Sequence, residues 1–199
     1  MKRTCKGRGL YLLVPTACDK IIPLSQKGGA DTVQINKWNA IAAMAQNRVI
    51  GANGKLPWHL PKDMAWFRSM TEGQILVAGR KTLESMPILP QNTYLVLTRD
   101  KSYTPPVPNV TAIHNLAQIP AEPPAGRSIW ICGGSAVYAA TLPHCRYLYL
   151  TTIKQIVDGD THFPPFADTF RLDKTLDDND RFILERYKNI HHYGGHDLD

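Results

Sequence analysis

Short apolar strands alternating with helical segments between Trp38 and Tyr187 predict an α/β domain with a largely parallel sheet. Two further observations support that class. Apolar runs end in glycine at Gly79 and at Gly133-Gly134, and each passes directly into a helical segment. That order is the one parallel βα units use. The composition, 43% hydrophobic and 20% charged over 199 residues, suits one globular domain with a full core and room for a tail.

Residues 1–36 read as a flexible N-terminal extension outside that domain. Met1-Lys2-Arg3, with Lys6 and Arg8, is basic, and Leu10 to Val14 is a short apolar patch. The pair looks like the start of a secretory leader, but the apolar stretch is too short and Pro15 interrupts it. Trp38 to Ala45 reads as the first buried strand, and Asn53-Gly54 marks a turn in the loop that follows. Pro61 suits a first helical turn, so a helix carrying Asp63 and Phe67 is expected there. Ile75 to Ala78 is a short strand ending at Gly79, with a helix over Lys81 to Met86. Tyr94 to Thr98 is another buried strand. Proline-rich loops (104–108 and 120–124) flank Val110 to Leu116, which predicts a strand and a short helix. Ser128 to Cys132 is a strand, and Gly133-Gly134-Ser135 opens a helix through Leu142. Tyr147 to Ile153 follows, and Phe182 to Tyr187 reads as the closing strand. The domain therefore spans 37–188, and 189–199 is a polar tail.

The net charge of +6 is modest and partly N-terminal. With no arginine-rich stripe or nucleic-acid motif, it suits a phosphate-bearing small molecule and argues against nucleic acid. No apolar run is long enough to span a bilayer. Cys5, Cys18, Cys132 and Cys145 form no C-x-x-C pair, and the last two lie in or near segments that read as buried. Free thiols in a reducing cytoplasm are expected, with no disulfide framework and no zinc site. The histidines show metal-like spacing only in the tail, so no metal is expected.

Chemistry concentrates at four places. Asp63 is the one acid in the otherwise apolar and aromatic stretch from Leu56 to Phe67, and Phe67 shares its helical face. Such a carboxylate can hydrogen-bond the amidine-like edge of a flat heterocycle while the ring packs on that heterocycle's face. An acid in a first helical turn is also what the helix dipole alone favours. Gly79-Arg80-Lys81-Thr82 puts a glycine, two cations and a hydroxyl at a helix start, a combination that binds anions. Gly133-Gly134-Ser135 offers a similar approach for a pyrophosphate, although a tight turn explains the glycine pair equally well. Thr98-Arg99-Asp100 ends a strand, where an arginine can hold an extra phosphate or simply be solvated.

Four motifs in this order resemble the dihydrofolate reductases of the chromosomal bacterial type. They are Val49-Ile50-Gly51 with Leu56-Pro57-Trp58-His59-Leu60-Pro61-Lys62-Asp63-Met64 and Phe67; Gly79-Arg80-Lys81-Thr82; Ile131-Cys132-Gly133-Gly134-Ser135 with Tyr138; and Asp158-Gly159-Asp160-Thr161-His162-Phe163-Pro164. The resemblance implies a sheet of about eight strands flanked by helices, with an antiparallel C-terminal strand. It also implies NADPH-dependent reduction of dihydrofolate, by hydride transfer to pterin C6 with protonation at N5. The implied catalytic set is Asp63, Thr151 linked to it through water, and Trp58 holding that water. Ile41, Ala43, Leu56, Met64, Phe67, Arg68, Ser85, Met86, Leu89, Asn92, Cys132 and Tyr138 are the implied substrate contacts. The implied cofactor contacts are Ala43, Ile50, Gly51, Gly54, Gly79, Arg80, Lys81, Thr82, Thr98, Arg99, Gly133, Gly134, Ser135, Ala136, Val137 and Tyr138. Residues 51–58 resemble a loop that closes over the nicotinamide, supported by 158–164. A monomeric cytoplasmic protein acting on a small dihydropterin is expected, with no nucleic-acid or membrane partner.

One departure stands out. The family follows its Leu-Pro element with an arginine that clamps the α-carboxylate of the folate glutamate. Here Leu89-Pro90-Gln91-Asn92 puts asparagine at that position, and no Lys or Arg occurs between Lys81 and Arg99. Asparagine cannot give a bidentate charged grip. Three readings follow: Arg68 replaces the clamp, the substrate is a dihydropterin without the glutamate, or the chain binds NADPH or pterin without turnover.

Overall fold

The computed structural model describes residues 37–191. The extension predicted over 1–36 and most of the C-terminal tail lie outside the described residues, as do Cys5 and Cys18. The strands are β1 (Trp38–Ala45), β2 (Val49–Gly51), β3 (Ile75–Gly79), β4 (Thr93–Leu97), β5 (Val110–Ile113), β6 (Ile129–Gly133), β7 (Cys145–Ile153), β8 (Thr161–His162), β9 (Phe170–Asp178) and β10 (Phe182–Asn189). Three helices accompany them: α1 (Pro61–Thr71), α2 (Arg80–Glu84) and α3 (Ser135–Thr141).

Eight strands form one sheet in the order β5-β4-β3-β6-β1-β7-β10-β9, and β2 and β8 form a separate two-stranded ribbon. Strands β5 to β7 of that order run parallel, and β10 is antiparallel to both β7 and β9. The apolar runs that predicted buried strands occupy the middle of the sheet: Ala40, Val77, Ile129, Ile131, Leu148 and Leu150 are fully buried in one core. Burial on both faces is what makes those strands continuous in hydrophobicity and not alternating. Because β6 inserts between β3 and β1, the chain reverses its direction of travel across the sheet there. Ligands of open α/β sheets bind over the carboxyl ends of strands at such a point.

Two expectations need correction. The helix predicted over Lys81 to Met86 ends at Glu84, because Ser85 Oγ turns back to Thr82 O and Pro87 follows. Phe182 to Tyr187 falls in β10, the last strand of the described chain and antiparallel to β7, as expected, with β9 beside it at the sheet edge. That last strand continues to Asn189, two residues beyond its expected end at Tyr187, and the buried Asn189 amide donates to Pro143 O and Cys145 O.

Candidate active site

Asp63 stands in the first turn of α1, which Pro61 starts and the Met64 N–H to Leu60 O bond closes. Thr151 lies on β7 opposite Ala43 of β1 and Leu184 of β10, and it is wholly buried. Its Oγ1 donates to Asp63 Oδ1 over 2.6 Å. The expected link through water is therefore corrected: the two side chains bond directly. Burial raises the Asp63 carboxyl above its ordinary value, and the Thr151 bond opposes that shift. Trp58 lies beside a smaller hollow of about 360 Å³ that shares Asp63 with the main cleft. Its Nε1 is buried without a hydrogen-bond partner.

The main cleft has a volume of about 1520 Å³ and reaches from Asp63 to Arg99. Every substrate or cofactor residue expected from the sequence lines it. Thr151 and Trp58 are the two expected residues that do not, one sitting behind Asp63 and the other beside it. Near Asp63 the walls are Ile41, Leu56, Met64 and Phe67. Tyr138 closes the floor between α3 and β1, donating to Ile41 O over 2.6 Å. Cys132 also lines the cleft, and burial pushes its thiol far above the usual range, so it stays protonated.

At the other end, the carboxyl ends of β3, β4 and β6 bring together glycines and cations. A Cβ on Gly134 would sit 3.1 Å from Thr82 Oγ1, and one on Gly79 would sit 3.3 Å from Val137 Cγ2. Only bare backbone leaves this passage open. Gly133 has φ +110° and would press a Cβ against the Tyr138 ring at 3.0 Å, so glycine is needed there for both reasons. Arg80, Lys81 and Arg99 line this end, with Arg80 paired to Glu84 at 3.1 Å. Asp100 of the Thr98-Arg99-Asp100 patch lines it too, together with His114 and Asn115, which the sequence did not single out. No local signal pointed to His114 and Asn115: only the parallel pairing of β5 with β4 puts the residues just past its end beside Thr98. His114 Nδ1 in fact bonds Thr98 O at 2.9 Å.

The rim between the two ends is a hairpin clasp. Asn53 (φ 51°) and Gly54 (φ 76°) form the tight turn the sequence predicted, bracketed by reciprocal bonds between Ala52 and Lys55. Asp160 Oδ2 accepts from Asn53 N–H at 2.8 Å, and Asp160 N–H donates to Gly51 O at 3.1 Å. The Thr161 hydroxyl and the Asn53 N–H hold the Asp160 carboxyl below its ordinary value. Ser135 Oγ reaches from α3 to His162 O at 2.7 Å, tying the clasp to the glycine end.

A mixed α/β sheet with one long cleft over its strand ends, cationic and glycine-lined at one end and holding a half-buried acid at the other, is the architecture of a two-ligand α/β enzyme. Residues 37–186 match the dihydrofolate reductase family. The chain belongs to that family. A type A13 dihydrofolate reductase of Escherichia coli is 36% identical over 126 residues, covering 62% of this chain and 75% of the relative. A dihydrofolate reductase of Haloferax volcanii is 32% identical over 157 residues, covering 74% of this chain and 81% of the relative. The solved structure of dihydrofolate reductase from Enterococcus faecalis, complexed with NADP(H) and RAB-propyl, is similar with a TM-score of 0.70 at 33% identity. It covers 78% of this chain and 98% of that one. No described helix is long and apolar enough to cross a membrane.

Proposed function

We propose that the protein reduces 7,8-dihydrofolate to 5,6,7,8-tetrahydrofolate with NADPH and so supplies one-carbon metabolism. The observation that carries this reading is the Asp63–Thr151 pair, bonded at 2.6 Å at one end of the cleft whose other end is lined by Gly79, Gly134, Lys81 and Arg99. The glycine passage fits a cofactor's pyrophosphate, because any side chain there would meet Thr82 or Val137. NADPH, when bound, supplies the hydride. Lys81, Thr98 and Arg99 would hold its phosphates, and Arg80 would do so in exchange for Glu84.

Asp63 takes the amino and ring-nitrogen edge of the pterin, with Thr151 fixing the carboxylate's orientation from behind. Desolvation makes the charge on Asp63 costly, which favours a bound pterin that carries a proton. Trp58 Nε1, buried and unpartnered beside Asp63, is suited to hold a water there. Closure of residues 51–58 over the cleft, anchored by Asp160, would exclude bulk solvent and keep the two rings in reacting geometry.

A monomer is supported by edge strand β9, whose charged side chains and irregular register against β10 discourage strand pairing with another chain. The free thiols of Cys132 and Cys145 support a cytoplasmic protein. Cations gathered in a cleft favour a small anionic ligand over nucleic acid. The test is oxidation of NADPH by the purified protein with dihydrofolate, for the wild type and Asp63→Asn. Steady turnover that falls about a hundredfold or more in the variant is expected. Binding of NADPH with no turnover in the wild type would leave a binding protein instead.

A further inference from the structure

Dihydrofolate carries two carboxylates on its glutamate, and a pocket that selects for them needs a cation at the tail end. Asn92 is unavailable for this. It is 2% exposed, its Oδ1 accepts from Gly73 N–H at 2.7 Å, and its amide faces Tyr94 OH at 3.4 Å. Its main-chain N–H and C=O are also taken, by Leu89 O and by Asn109 Nδ2. Arg127 comes near the same turn but is spent as well. Its Nε donates to Gly73 O, and its Nη2 donates to Gln74 O and Thr93 Oγ1. It does not line the cleft.

Among the described residues that line the cleft, Arg80, Lys81 and Arg99 belong to the glycine end and Lys55 to the β2–β8 clasp. Arg68 is the one cation on α1 facing the cleft, beyond Phe67 as seen from Asp63. It is exposed. An exposed ion pair is worth at most about a fivefold preference, whereas a buried, hydrogen-bonded clamp is worth about thirtyfold or more.

Resting on the reductase reading above, we infer that this cleft recognises the pteroyl part of its substrate and is nearly indifferent to the glutamate. It therefore also reduces 7,8-dihydropteroyl compounds whose glutamate is missing or replaced by a neutral group. The chemistry is unchanged. The C6–N5 double bond is reduced by the hydride of NADPH and a proton from solvent, giving the tetrahydropteroyl compound and NADP+. Arg68 supplies what preference remains for a charged tail.

The experiment compares kcat/KM for dihydrofolate and for the methylamide of 7,8-dihydropteroic acid, in the wild type and in Arg68→Gln. Binding of the oxidised pair, folic acid and pteroic acid methylamide, is followed in parallel by tryptophan fluorescence at low and high salt. The expected wild-type preference for dihydrofolate is fivefold or less in both readouts. It falls towards one in Arg68→Gln and in high salt. A preference of thirtyfold or more that survives in Arg68→Gln overturns the inference while leaving the reductase reading intact. No NADPH oxidation with either compound overturns both.

Discussion

Thr151 Oγ1 and Asp63 Oδ1 meet at 2.6 Å across 88 residues of chain, joining the seventh strand to the first turn of α1. The bond fixes where the carboxylate points, and it lowers the carboxyl's pKa against the opposing effect of burial. Thr151→Val deletes the donor, so the Asp63 carboxyl should rise further. The acidic limb of the kcat/KM profile then moves to higher pH, while Thr151→Ser restores it. Coincident profiles for wild type and Thr151→Val would show that the hydroxyl does not tune the acid.

Burial of Asp63 also couples stability to pH. Its folded pKa lies above its unfolded value of 3.8, so its favourable contribution is complete below 3.8 and is lost as pH rises through the folded value. Above that window the ionised carboxylate weakens the fold. Asp63→Asn should therefore melt at a higher temperature than the wild type near neutral pH, and the gap should close as pH falls towards 3.8. Melting curves collected across that range would contradict the coupling if the offset were constant.

Much of this was legible in the sequence, for identifiable reasons. The interior strands announced themselves because both faces are buried, and Asn53-Gly54 because its two positive φ values require such residues. Strand β9 was invisible: seven of its nine positions point to solvent, and Leu172 is 54% exposed. Without a buried face, Arg171 to Asp178 carries no strand period. Thr151 could be assigned only through the family resemblance, since nothing local ties a strand hydroxyl to a helix acid so distant in sequence. The direct bond, the commitment of Asn92 to Gly73, and His114 beside Thr98 all depend on tertiary register.

Gly159 has no room for a side chain. A Cβ there would lie 2.3 Å from Val49 Cγ1 and 2.5 Å from Gly51 O, inside the clasp of β2 against β8. Gly159→Ala must push the two segments apart and strain the Asp160 bonds to Gly51 and Asn53. A loss of about 1–3 kcal/mol in denaturant unfolding is expected, with a fall in turnover larger than that in NADPH affinity. Unaltered stability would mean that the segments part without cost.

The cationic end should respond to salt. Lys81 lines the cleft next to Arg80, whose own charge is shared with Glu84. Lys81→Ala should raise the KM for NADPH about tenfold at low ionic strength, because a charge-assisted contact is lost. Since the site is open to solvent, the penalty should shrink as salt increases. A salt-independent penalty would point to a packing role for the lysine stem.

The position of β1 has a consequence for synthesis. This strand leaves the ribosome before the rest of the sheet, yet it ends up flanked on both sides, by β6 and β7. Neither neighbour exists until residues 129–153 have been translated. Until then the apolar stretch Trp38–Ala45 has both hydrogen-bonding edges open, and β3, β4 and β5 have nothing to join them to it. Nascent chains interrupted before Cys145 hold an incomplete sheet with an exposed apolar edge, the kind of species that aggregates or engages chaperones. Folding of the centre is thus deferred until β7 has been made, and the long loop closures it requires place it among the slower topologies.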